Sequence, residues 1–383
     1  MNQPSTLANV ADPIVIKELK VSGVAANAAL EGHKVSVIHR LSVTSDERYF
    51  DKIASGLVGT IEHALAQQGS SADLRGARTI LLITHPDDTA HLWVDTAAQV
   101  AFAMVKKSVT AGQPIFESDV GDITAIDFPA VEIGNCDGVV CLFRENWRFG
   151  LFFDFNPEKE FDRERMKRSL GTLHRTMRYR QVYEIIYNEK LFADLSAKGW
   201  FPFVEALTEF RQLAEVLEAG LPFDEFESHA LEAFTPERVE HMFERWMLRP
   251  HFAGKQALLR AAVSAYLSDE PIAPIKIALT EIEGVLRDAY RAVHGKGAKL
   301  KTLLKFSIQS AEKKAGGSDT LLFSAAFAKY LEAYTFANFD PNSSGTSAAS
   351  RHAVGHGAAD AASYTKVRAL QALLTLDQLS FYT

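Results

Sequence analysis

Ser350-Arg351-His352-Ala353-Val354-Gly355-His356-Gly357 stands between a Gly/Ser-rich link and the last helical run of the chain. How it is read decides what the C-terminal third is. Arg351 brings a permanent cation with a flat fork of donors that suits phosphate oxygens. His352 and His356 bring imidazoles that move protons near neutral pH. Together these groups suit the binding and cutting of a phosphodiester without a metal. As solvated residues at a helix start the same side chains would do no chemistry, so the flanking elements carry the decision.

Working outward, the pattern predicts four amphipathic helices around this stretch. The first covers about Ile275–His294, with Leu279, Ile282, Leu286, Ala289 and Val293 in alternating steps of three and four. Gly295-Lys296-Gly297 is read as its stop. The second covers about Leu300–Lys314 and ends at Gly316-Gly317. The third is expected to start after the cap Ser318-Asp319 and to carry Phe323, Phe327, Tyr330 and Tyr334 on one stripe. The fourth covers about Ala358–Phe381, with Val367, Leu370, Leu373 and Leu374 on its apolar side. Four such helices with mostly short links predict a four-helix bundle. The one long link, residues 338–347, lies just before Arg351, and long links are often functional.

With the bundle in place, the motif resembles that of the HEPN superfamily, whose signature is an arginine, a polar residue, a short spacer and a histidine at the last helix of a helical bundle. Arg351, His352 and His356 fit it at the minimum spacing, and Leu279-Thr280-Glu281-Ile282-Glu283-Gly284 is similar to the first bundle helix of that group. The resemblance covers about residues 270–383. It implies a metal-independent endoribonuclease of the kind found in toxin, abortive-infection or stress systems, or a non-catalytic relative that binds RNA, nucleotides or partners. It further implies that Arg351 binds the scissile phosphate, that His356 is the general acid or base, that His352 orients the site or shares the proton, and that a homodimer completes it. Some toxin members carry a tyrosine two residues after the histidine; here Ala358 stands there. Glu281 and Glu283 are candidates to line the site, against a reading as solvated surface residues.

The rest of the chain predicts an α+β protein. Residues 1–12 read as a polar lead with no signal-peptide pattern. Residues 13–156 read as a mixed α/β domain. Strands are expected at Ile14–Ile16, Val35–Ile38 and Thr79–Ile83, and a helix from Phe50 to Gln67; Trp93 onward is ambiguous. Residues 138–143 and 150–155 read as a hairpin turning at Glu145-Asn146. Residues 157–268 read as a helical middle region, with Thr235-Pro236 a capped helix start and Gly199-Trp200-Phe201-Pro202-Phe203 a packed aromatic turn. The cations Arg163, Arg165, Lys167, Arg168, Arg175, Arg178 and Arg180 form either an RNA-facing surface or a solvated helix face pairing with Glu158, Glu160, Glu164 and Glu184, and the second reading is preferred.

Composition bounds the function. The net charge is −7, against generic coating of nucleic acid, yet residues 251–383 hold 15 Lys+Arg against 11 Asp+Glu. Two cysteines, Cys136 and Cys141, make neither a disulfide framework nor a four-ligand zinc site, and a cytoplasmic setting is expected. No apolar run approaches a membrane span. Thr84-His85-Pro86-Asp87-Asp88 resembles the strand-then-HPDD metal site of zinc-dependent N-acetylglucosaminyl deacetylases, but Thr89 replaces the usual glutamate and the later His-x-x-His is absent. It is read as turn chemistry. No metal or cofactor is expected, and any ligand or partner of the N-terminal domain is left open.

Overall fold

The structure is a computed structural model, and it describes residues 7–338 and 350–383. The fold is α+β. Cα packing divides the chain into two compact units. One takes the chain up to Ala103 together with Ile123–Arg180; the other takes Met104–Asp122 with Gln181–Thr383. The boundaries expected at 156 and 268 do not coincide with this division.

The first unit is built on a six-stranded sheet in the order β1-β6-β5-β9-β10-β4. Its strands are β1 (Ile14–Ile16), β4 (Arg40–Thr44), β5 (Thr79–Thr84), β6 (Ala90–Val94), β9 (Gly138–Glu145) and β10 (Arg148–Asp154). Every pairing is antiparallel. The segment left ambiguous around Trp93 is strand β6, and the predicted hairpin is β9–β10, with Asn146 at φ 56° in its turn. Val35–Ile38 is strand only over β3 (Val37–Ile38), which pairs with β2 (Val24–Ala25).

Two helices cover the two faces of the sheet. Helix α1 (Phe50–Gln67) buries Ile53, Leu57 and Ile61 with Ile80, Leu82, Val140 and Phe153. Helix α2 (Arg163–Arg178) buries Met166, Leu170 and Met177 with Leu81, Ile83, Val139 and Cys141. Burial on both faces explains the unbroken apolar run of β5, since alternation is lost when neither face meets water. It also explains why the unit runs past Asn156: α2 returns to cover the second face. Gly171 permits that approach, because a Cβ there would meet the backbone of Thr124 and Ala125 at 2.7–2.8 Å.

The chain passes between the units along the two-stranded ribbon of β7 (Val100–Val105) and β8 (Val120–Asp127). The second unit is helical. It comprises α3 (Arg180–Tyr187), α4 (Glu189–Ala197), α5 (Leu207–Glu218), α6 (Phe223–Glu232), α7 (Pro236–Met247), α8 (Pro250–Ala253), α9 (Gln256–Leu267), α10 (Ile272–His294), α11 (Leu300–Ala315), α12 (Ser324–Tyr330), α13 (Arg351–Gly355) and α14 (Lys366–Tyr382). Thr235 caps α7 through the Arg238 amide, as its sequence predicts. Trp200, Phe201 and Phe203 are fully buried in the aromatic turn. Gly295 and Gly316 end α10 and α11 at φ 69° and 81°.

Helices α10, α11, α12 and α14 pack on one another, and α9 packs along α10. The third helix starts at Ser324, four residues after the position that follows Ser318-Asp319, because Phe323 takes a left-handed conformation at φ 46°. It continues as a π-helical turn over Leu331–Thr335. The fourth helix starts at Lys366 rather than Ala358 and is not amphipathic in its surroundings. Residues 369–382 are buried all round, including Gln371, Thr375, Asp377, Gln378 and Ser380. These polar groups are held by hydrogen bonds: Gln378 accepts from the Val204 amide at 2.9 Å and donates to the Leu322 carbonyl at 3.3 Å.

Candidate functional site

The motif folds as a separate short helix. α13 packs against α10, with Ala353 and Val354 as its buried anchors. Ser350 precedes it, and its hydroxyl donates to the Ala337 carbonyl at 2.5 Å. This joins the two described ends that flank residues 339–349; the link expected at 338–347 lies, apart from Asn338, outside the described residues. Gly357, at φ 68°, follows the helix, with the Gly357 and Ala358 amides donating to the carbonyls of Val354 and Ala353.

Arg351 is the first residue of α13 and His356 its C-cap. The His356 amide closes the last turn on the His352 carbonyl at 3.0 Å. His352 is half-buried and His356 exposed. The Arg351 guanidinium reaches Glu283 Oε2 on α10 at 2.9 Å, and the other oxygen of that carboxylate accepts from Arg287. Glu283 is therefore no solvated surface residue: its side chain is 13% exposed and sits between two arginines. Glu281, also weighed as a site residue, turns to Lys255 at 2.7 Å. The structure thus brings Arg351 and Glu283 together and leaves Glu281 to a different ion pair.

The cations of helix α2 pair chiefly with acids on other elements rather than along the helix. Arg163 reaches Asp127 at the end of β8 at 3.0 Å, and two others reach acids of the six-stranded sheet, Arg165 reaching buried Asp154 at 2.6 Å and Arg178 reaching Glu145 at 2.6 Å. Arg175 is buried and donates to the Ile123 carbonyl and Thr172. Of the expected glutamate partners, Glu164 takes Lys167 at 2.7 Å. Spacing alone finds partners on the same helix; these partners lie on other elements, which spacing does not reveal.

The His85-Pro86-Asp87-Asp88 segment is a turn. Asp87 Oδ1 accepts from the Thr89 amide and hydroxyl, and Asp88 takes φ 67°. His85 instead joins a chain that the sequence reading missed. Its Nδ1 lies 3.0 Å from Asp137 Oδ1 and its Nε2 lies 3.2 Å from His91 Nδ1. Burial, and then the neighbouring His85, push the His91 pKa down. No group of three or more His, Cys, Asp or Glu side chains among the described residues is set to hold a metal. Cys141 is buried, which pushes its thiol up to about 12, so it is no nucleophile near neutral pH.

A second cluster missed by sequence reading lies inside the helical unit. Asp377 on α14, 1% exposed, accepts from Arg245 at 2.7 and 2.8 Å and from the Trp246 indole at 2.8 Å. Arg245 also reaches Glu205 at 3.0 Å and the Lys106 carbonyl at 2.5 Å. An aspartate inside a Leu-rich helix was the available signal.

No protein-family model, curated protein or solved structure matches this chain. No helix among the described residues is long and apolar enough to cross a membrane.

Proposed function

We propose that the protein is a HEPN-type, metal-independent endoribonuclease acting in the cytoplasm as a toxin, abortive-infection or stress effector. The observation that carries this reading is the seating of α13 on α10, with Arg351 beside Glu283, His352 on the same short helix and His356 at its C-cap. Arg351 binds and polarises a phosphate of RNA. His356 takes the ribose 2′-OH proton as that oxygen attacks phosphorus, and the 5′ oxygen leaves with a proton from a second acid. His352 or the His356 of a second copy is suited to that role. RNA carries its own nucleophile, so positioning and proton transfer suffice. A homodimer would bring two such helices to one phosphate, and the first unit would serve as sensor or regulator.

A second reading rests on the Glu283 pair. A carboxylate already on Arg351 competes with phosphate for its donors, which suits a non-catalytic RNA- or nucleotide-binding or dimerisation module. The discriminating experiment is cleavage of mixed RNA in EDTA by the wild type, Arg351→Ala and His356→Ala, with fragment ends mapped. The expected result is cleavage by the wild type alone, leaving 2′,3′-cyclic phosphates. Equal cleavage by all three overturns the site. No cleavage, with RNA binding that depends on Arg351, favours the binding module.

A further inference from the structure

The turn between α10 and α11 concentrates positive charge that the rest of the chain lacks. Residues 289–311 hold Arg291, Lys296, Lys299, Lys301 and Lys305 and no Asp or Glu. Residues 251–383 as a whole carry an excess of only four positive charges, in a chain of net charge −7. All five cations are exposed, and none forms an ion pair or a side-chain hydrogen bond among the described residues. The acids on either side take other partners. Asp288 pairs with Lys255 at 3.4 Å, and Glu312 accepts from the Ser324 hydroxyl at 3.3 Å.

Fold stability does not account for this arrangement. Arg291 and His294, in the last turn of α10, suit the negative end of its dipole. Lys299 and Lys301 do the opposite: they stand at the N-cap and in the first turn of α11, where cations are disfavoured and no acid offsets them. Like charges gathered at a turn without counter-charges suit an anionic partner. An exposed ring lies beside them. His294 sits over Tyr290, tilted by 34°, with ring centroids 4.2 Å apart, and Phe306 packs edge-on against both. Cations next to an aromatic platform suit a nucleic-acid strand, whose phosphates take the cations and whose bases stack.

We propose that the α10–α11 turn is the docking surface for single-stranded RNA, with phosphates on these five cations and a base on His294. This deepens the ribonuclease reading and rests on it for the destination of the strand. Glu283, Arg287 and Arg291 lie four residues apart along α10 and follow one face. A strand leaving the turn therefore meets Arg287 and then, about 12 Å from Arg291, the carboxylate of Glu283 that holds Arg351. The turn holds the RNA, and α13 acts on it.

The test is fluorescence anisotropy of a labelled, fully 2′-O-methylated single-stranded RNA, which lacks the nucleophile, titrated with the full chain over a range of salt. The fourfold variant Arg291→Gln, Lys296→Gln, Lys299→Gln, Lys301→Gln should bind at least about tenfold more weakly. Its slope of log affinity against log salt should fall by about three, as loss of four phosphate contacts on a single strand does. Its melting temperature should not drop, since it removes only exposed, unpaired charge. His294→Ala should weaken binding about tenfold, as loss of one stacked base does. Wild-type affinity in the fourfold variant overturns the proposal; if Arg351→Ala then abolishes binding, the α13 site stands without it. Binding that depends on the turn, with no cleavage of unmodified RNA, supports the proposal and removes the endoribonuclease reading. No binding of RNA overturns the proposal, and binding instead to vesicles of equal parts phosphatidylserine and phosphatidylcholine assigns the surface to a membrane.

Discussion

Arg351 Nη2 lies 2.9 Å from Glu283 Oε2, so the motif arginine at the start of α13 is tied to the long helix α10 by an ion pair. The pair is partly exposed, the arginine side chain at 33%. Partly exposed pairs contribute about 0.5–1 kcal/mol. A double-mutant cycle of Arg351→Ala and Glu283→Gln, read from urea midpoints, should return a coupling of about that size. On the proposed function, Glu283→Gln should at the same time strengthen RNA binding, because it removes the anion that competes for the guanidinium. Weaker RNA binding in that variant would mean that Glu283 positions Arg351 rather than restraining it.

Asp377 should be far more costly to change. It is buried against Arg245 and Trp246, and truncating it takes from the buried guanidinium the nearer of its two carboxylate partners, leaving Glu205 alone. Asp377→Ala should destabilise the protein by about 3–5 kcal/mol, as removal of one partner of a buried pair does. Denaturant unfolding checks this, and a loss below about 1 kcal/mol would show that Glu205 alone satisfies Arg245.

Gly199 should be equally intolerant for a steric reason. It takes φ 86°, and a Cβ there would overlap the Tyr334 hydroxyl and the Gln371 side-chain oxygen. Those two groups hydrogen-bond each other at 3.0 Å. Gly199→Ala therefore carries both backbone strain and a clash, and should cost more than about 2 kcal/mol. A melting curve within about 2 °C of the wild type would show that the turn relaxes.

The histidine chain predicts a pH dependence. Folding holds the His91 pKa below its ordinary value, through burial first and His85 second. The unfolded chain then binds more protons than the folded one below about pH 6.5, so stability falls as the pH drops through that value and is flat above it. His91→Gln should reduce the slope between about pH 6.5 and 5. The check is the melting temperature across that range for both proteins; identical slopes would remove His91 as the cause.

The sequence made the local structure of much of the chain legible. The α1 helix, the β9–β10 hairpin, the Thr235 cap and the glycine stops of α10 and α11 all follow from periodicity and turn chemistry, which act over a few residues. What it hid depends on distant partners. The polar face of α14 reads as a solvent face until Arg245, Val204 and Leu322 are found covering it. The arginines of α2 read as a charged surface until Asp127 on β8 and Asp154 and Glu145 on the six-stranded sheet are found as their partners. At the candidate site, Arg351, His352 and His356 were visible as a spacing, and Glu283 as a candidate, but the ion pair itself needed the packing of α13 on α10.

The route of the chain has a consequence for inheritance. The helical unit draws on residues 104–122 as well as on everything after 180. Lys106 from that early segment holds Arg245, and the Asp122 carboxylate accepts from the Leu321 amide at 3.4 Å. A recombination event with a single breakpoint cannot move the helical unit intact into another gene. The helical unit, α13 included, must therefore travel with the sheet-bearing unit whose sequence surrounds that early segment, and the two halves are expected to diversify as one heritable block rather than as interchangeable modules.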